Sequence, residues 1–145
     1  MSKNKKILEL LSSHRPPCLD TLNGKTTHFE SNPPLLTMEF EAVPEFCHSP
    51  TQVVQGGFVT GMLDTSMAHL LIALSGGRLN PVSLDINVSF LAPSHPGKLI
   101  SEAKVVRLGK SIGYFSSSLY QQETLVATAT STIKLVPMPE EFFDT

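Results

Sequence analysis

The sequence predicts one α+β domain, in which an antiparallel sheet of five or six strands encloses a long central helix. Three observations predict it. From Phe58 to Leu74 there is no Lys, Arg, Glu or Pro, and apolar residues fall on every face of the helical turn. A helix that is apolar all round is buried rather than laid on a surface. In the C-terminal half, Val82, Leu84, Ile86, Val88 and Phe90 alternate with Ser83, Asp85, Asn87 and Ser89, the period of a strand. Finally, one sheet can cover only one side of a helix. To enclose this one, the sheet must curl around it or a second subunit must close the open side, which predicts at least a homodimer.

The elements follow in order. Ile7, Leu8, Leu10 and Leu11 make a short amphipathic helix that ends before Arg15-Pro16-Pro17, because the residue before a proline avoids helical geometry. Asn23-Gly24 is a turn signal, so a first strand runs from about Lys25 to Ser31. After Asn32-Pro33-Pro34, the run Leu36 to Ala42 alternates as a half-buried strand does. Val43 to Gln52 is a proline-punctuated connection anchored by Phe46, and the long helix follows until Ser75-Gly76-Gly77 stops it. The remaining strands are expected as a meander: Val82 to Phe90, Leu99 to Leu108, Ile112 to Gln121 after the Gly109-Lys110 turn, and Leu125 to Leu135. Residues 1–18 are thus an N-terminal helix and linker, 19–137 the domain, and 138–145 a loose tail.

Composition narrows the function. The 145 residues carry a formal net charge of −2 and no basic run, so there is no electrostatic case for nucleic acid. Cys18 and Cys47 lack metal spacing, and the five histidines form no H-x-x-x-H pair, so no metal site is predicted and a reducing cytoplasm is the plain setting. The N-terminal apolar run is broken by Glu9, too short for a signal-peptide core. The central helix, about 17 residues with Asp64 and His69 inside it, falls short of a comfortable membrane span.

Asp64 is the lone carboxylate in that helix, and a buried charge is expensive unless something pairs with it or uses it. Gly56 and Gly57 precede it by about two turns, where free N–H groups and the helix dipole favour negative charge. From spacing alone, two readings stay open: a catalytic acid, or a structural acid bonded to a core hydroxyl such as Ser66. His48 and His69 are read as structural. His69 is five residues from Asp64 and shares no helical face with it.

Three pieces together resemble the hotdog-fold acyl-CoA thioesterases of the PaaI-like group, over roughly residues 35 to 136. They are Gln55-Gly56-Gly57 with Asp64 eight residues after the first glycine, Ser83-Leu84-Asp85-Ile86-Asn87-Val88-Ser89-Phe90-Leu91-Ala92-Pro93, and the Gly109-Lys110-Ser111 turn. The chain departs from the family pattern at Gln55, where the family has His, at Ser49, where it commonly has Asn, and at Gln52, where it has Gly. In the family that His and Asn help to hold the thioester carbonyl or shape the site.

The resemblance implies thioester hydrolysis with no cofactor beyond the coenzyme A of the substrate. It implies Asp64 as general base or nucleophile and the Gly56 N–H as oxyanion donor, with Ser83 beside the acid where a hydroxyl can orient water. It implies a pocket between two subunits, so that Asp64 acts on an acyl group held at the partner's glycine end, and a pairing of dimers into a tetramer. Gln55, whose amide can donate to a carbonyl, joins Asp64, Gly56 and Ser83 among the catalytic candidates. Ser49 and Gly57 become candidates for contact with the substrate, and Arg107, Lys110 and Ser111 for the CoA phosphates. Phe58, Met62 and Phe90 are candidates for the acyl pocket. Two other readings compete. Hotdog dehydratases usually combine an acid with a catalytic His, which the Gln55 position lacks. A non-catalytic binder of acyl-CoA or an aromatic ligand would bind without turnover.

Overall fold

A computed structural model describes residues 2–139. Its elements are helix α1 (Lys3–Ser13), a short helix α2 (Pro17–Thr21), strands β1 (Gly24–Ser31) and β2 (Pro34–Ala42), a 3₁₀ turn at Pro44–Phe46, the central helix α3 (Gly56–Leu74), and strands β3 (Leu79–Phe90), β4 (Gly97–Leu108), β5 (Ile112–Gln121) and β6 (Thr124–Pro137). Most of the expected tail, residues 140–145, lies outside the described residues.

The six strands form one antiparallel sheet in the order β1-β2-β4-β5-β6-β3. Of the three or four strands expected in the meander, three form it, β4-β5-β6. β3 pairs with β6, and the chain crosses from β3 at one edge of the sheet to β4 in its interior. Local periodicity identifies a strand but carries no information about its distant neighbour.

α3 touches all six strands and α1. At 19 residues it is longer than the sequence suggested and apolar enough by composition to cross a membrane, yet the sheet is curled around it as its core. The concave face offers Leu36, Met38 and Phe40 from β2, Leu99 and Ala103 from β4, Phe115 and Leu119 from β5, and Ala127 and Ile133 from β6, all essentially inaccessible. Met62, Leu63, Met67, Leu70 and Leu71 of α3 fill against them. Small residues in the middle of the sheet let the helix lie close, and their hydroxyls need partners once buried. Ser66 Oγ donates to Met62 O at 2.7 Å and bonds Ser101 Oγ, while Ser117 Oγ reaches Leu63 O at 3.3 Å. Past the end of α3, Gly76 (φ 64°) and Gly77 (φ 83°) take the left-handed conformation that stops a helix cheaply only at glycine.

His69 is 4% exposed on the flank of α3, and its Nδ1–H donates to Thr65 O at 2.9 Å. Burial pushes its pKa down, and the Arg15 charge adds to this, against a smaller upward pull from the Thr65 bond.

Candidate active site

α3 and β3 run side by side in opposite directions, and the candidate site residues of these two elements gather at two places along them. The first is at mid-helix. Asp64 is half-buried rather than buried, because β3 at the sheet edge leaves that flank of α3 uncovered. Its partner is not Ser66, which is engaged in the core, but Ser83, whose Oγ donates to Asp64 Oδ1 at 2.8 Å.

A bulge makes that bond possible. Ser83 pairs with Ile133 and Asp85 with Thr132, so Leu84 is an extra residue between them. Without it, strict alternation would place Ser83 on the opposite face from Ile86 and Val88. The inserted residue reverses the phase and brings Ser83 onto the helix side. The regular apolar/polar reading of Val82 to Phe90 thus holds only from Asp85 onward. Leu84 itself is left 54% exposed and Val82 41%.

The second place is the start of α3. Gln55 is the N-cap, and its side-chain Oε1 accepts from Gly57 N at 3.1 Å. A Cβ on Gly57 would stand 2.7 Å from that oxygen, so glycine makes room for the cap. Gly57's N–H is therefore taken, whereas Gly56's N–H has no hydrogen-bond partner among the described residues. Phe90's ring lies over Gly56, 3.0 Å from where a Cβ would be. The helix start opens on a groove of about 460 Å³ lined by Gly56, Val59, Phe90, Leu91 and the segments 53–54 and 92–94, with His48 and Val126.

The connecting loop is stitched to the far wall of this groove. Val54 N donates to Ser94 O at 2.8 Å, and His95 Nδ1 bonds Gln52 O at 3.0 Å. Gln121 holds His95 in turn, accepting from its N at 2.9 Å and donating to its O at 2.7 Å. Ser49 Oγ bonds Thr51 Oγ1 at 2.7 Å within the loop's own turn. Phe58 stacks on Phe46 with ring centroids 4.4 Å apart, and Met62 lies wholly in the core. Of the three aromatic and Met candidates for the acyl pocket, only Phe90 lines the groove. The sequence did not single out Ser94, whose burial depends on the distant loop packed over it.

Arg107, Lys110 and Ser111 are exposed at the β4–β5 hairpin, where Gly109 N donates to Ile112 O at 2.9 Å and closes the turn. A second bulge, between Val105 and Arg107, puts Arg107 opposite Tyr114 on the convex face. Neither cation has an ion-pair partner among the described residues. No cluster of metal-ligating side chains occurs among the described residues.

A curled antiparallel sheet around one long helix, with a lone acid on that helix and an uncapped glycine N–H at its start, defines a hotdog protein of the thioester-hydrolase kind. The family model described as Thioesterase superfamily matches residues 51–128, from the loop into the start of β6, and the chain belongs to this family. Among solved structures it is similar to a phenylacetic acid degradation-related protein from Ralstonia eutropha, at 30% identity and a TM-score of 0.81, covering 92% of this chain and 100% of that one. It is similar in fold to the Escherichia coli PaaI protein from the phenylacetic acid degradation operon (19% identity, TM-score 0.80, 93% of this chain and 96% of that one). It is also similar in fold to a variant of a thioesterase enzyme from Staphylococcus aureus (18% identity, TM-score 0.75, 84% and 100%). No curated protein matches it significantly in sequence. The PaaI-like hotdog assignment made from the three sequence motifs stands.

Proposed function

We propose that this thioesterase hydrolyses acyl-CoA thioesters at a site shared by two subunits. The observation that carries the reading is the Ser83–Asp64 hydrogen bond on the open flank of α3. An acid there, held in one orientation and still reachable, is placed for chemistry rather than for packing. Asp64 takes a proton from the water that attacks the thioester carbonyl, or attacks it directly. The negative charge that develops on the carbonyl oxygen is met by the Gly56 N–H and the positive end of the α3 dipole. The carbon–sulfur bond breaks and CoA leaves as the thiolate. By the first route the proton held on Asp64 passes to sulfur; by the second, water hydrolyses the acyl–Asp64 anhydride, frees the acid and supplies that proton.

Asp64 and Gly56 are about 12 Å apart along one helix, too far to serve one carbonyl. The exposed edge of β3 supports a resolution. Ser83 stands beside Asp64 and Phe90 beside Gly56. Antiparallel pairing of β3 with a second β3 about its middle brings the Ser83 end of one strand to the Phe90 end of the other. Asp64 of each subunit then faces the Gly56 end of its partner, giving a homodimer with two sites, which we expect to pair again into a tetramer. Arg107, Lys110 and the Ser111 turn supply cations and N–H groups for the CoA phosphates. Cys18 and Cys47 are free thiols, which suits a reducing cytoplasm.

The test is thiol release from acetyl-, hexanoyl- and benzoyl-CoA by the wild type and Asp64→Asn. The expected result is release by the wild type and a fall of about 10²–10⁴-fold in the folded variant. Equal rates in the two proteins would remove Asp64 from the mechanism. Binding of CoA esters without any thiol release would make the protein a binder instead.

A further inference from the structure

The family pattern supplies a His and an Asn beside the glycine turn, and this chain has Gln55 and Ser49 there. Neither replacement offers its oxygen to the groove. Gln55 Oε1 is turned back onto Gly57 N, and Ser49 Oγ is bonded to Thr51. The groove at Gly56 is nevertheless not wholly apolar. Its walls are Val53, Val54, Val59, Phe90 and their neighbours, with two polar side chains among them, His48 and Ser94.

These two stand out for different reasons. Ser94 is 2% exposed and its hydroxyl has no hydrogen-bond partner among the described residues, but that oxygen is not fully sealed off, as the unpaired hydroxyls of Thr26 and Ser131 are, and Ser94 lines the groove. A hydroxyl that lines a cavity without a protein partner is satisfied by whatever polar group enters it. His48 has its backbone fixed by the bond from its N–H to Val53 O at 3.1 Å, while its imidazole has no partner among the described residues. Both sit on segments joined by the Val54–Ser94 bond and the His95–Gln52 bond, so their positions are set by the same pair of ties.

Resting on the thioesterase reading above, we infer that His48 and Ser94 hold the thioester carbonyl together with the Gly56 N–H, in place of the family's His and Asn. The Ser94 hydroxyl and an imidazole N–H each donate to the carbonyl oxygen. No bond to either residue forms or breaks, and the proton transfer stays with Asp64. Donors aimed at a developing oxyanion strengthen as charge accumulates, so they act mainly on kcat. Ser94 is buried and His48 exposed, so the inner and outer parts of the groove each have one polar side chain.

The experiment is steady-state thiol release by His48→Ala, Ser94→Ala and His48→Gln, beside Asp64→Asn, with thermal unfolding of each. His48→Ala and Ser94→Ala should lower kcat by about 10²-fold, the scale of losing one oxyanion donor, with little change in KM or in unfolding temperature. His48→Gln keeps a side-chain N–H donor and should recover part of the loss, which a merely structural His48 would not do. Wild-type kcat in both alanine variants, with Asp64→Asn inactive, would overturn this inference and leave the thioesterase reading intact. Absence of thiol release from the wild type would overturn both.

Discussion

The sheet finishes its work at one end of the molecule and leaves it undone at the other. β2, β4 and β5 all pack on α3, and Leu36, Met38, Phe40, Leu99 and Phe115 are inaccessible or nearly so. At β3 the same sheet exposes Val82, Leu84, Phe90 and, just beyond it, Leu91 at 41%, 54%, 58% and 57%. Both regions have the apolar side chains of a strand, so composition does not explain the difference. Position does on the helix side: β2, β4 and β5 have strands on both sides, whereas β3 is an edge with only β6 beside it, and the large apolar residues that β4 and β5 expose, Val106, Leu108 and Tyr114, lie near their shared hairpin. Proteins normally blunt such an edge with charge, proline or a covering element. Here a bulge interrupts it and an acid stands behind it, and most of the remaining edge is regular strand. The filled region makes the fold, and the unfilled one holds the proposed site.

The contrast can be broken directly. Phe115→Ala removes a fully buried ring from the finished side and should cost about 3–5 kcal/mol of stability, read by denaturant unfolding. Phe90→Ala removes a ring of the same size from the open side and should cost well under half as much when measured on dissociated protein. Equal costs would mean that β3 is as much a part of the monomer's core as β5.

The open side can be sharpened by adding charge. Leu84→Lys puts a cation on the exposed bulge, and at a two-fold interface it meets its own copy. The expected result is a dimer at least about tenfold weaker, roughly 1.4 kcal/mol, in sedimentation equilibrium, with the circular dichroism of the fold retained. An unchanged dimer would exclude this edge as the interface.

The smallest effect concerns His69, on the closed flank of α3. Its pKa is lowered in the folded protein, first by burial, so the unfolded chain binds its proton more readily. The stability it contributes is complete above the ordinary value of 6.5 and is lost as pH falls from there through the lowered folded pKa. Thermal unfolding should therefore shift down between pH 7.5 and 5, and His69→Leu should flatten part of that slope. A slope identical in the variant would assign the acid sensitivity elsewhere.

Much of this architecture is legible in the sequence because it is local. The unbroken apolar run of α3, the glycines that stop it and the alternation in β2 and β5 each follow from residues within a turn or two of one another. What escapes is set at a distance. That β3 lies beside β6 depends on a pairing some fifty residues away in sequence. The bulge at Leu84 is invisible because the apolar/polar alternation reads straight through it. Asp64 reads as buried from its apolar neighbours, and only the edge position of β3 opens it. Ser94 looks like an ordinary loop serine until the loop from Cys47 to Val54 is laid over it.

The ties between that loop and the 94–95 segment have a kinetic consequence. Val54 to Ser94, Gln52 to His95 and Gln121 to His95 hold the two walls of the groove in register before any ligand arrives. No loop has to be ordered at the moment of encounter, so that entropy is not charged against affinity. Loading of the groove should then follow simple second-order behaviour, with a rate that rises linearly with ligand concentration and no plateau from a gating step.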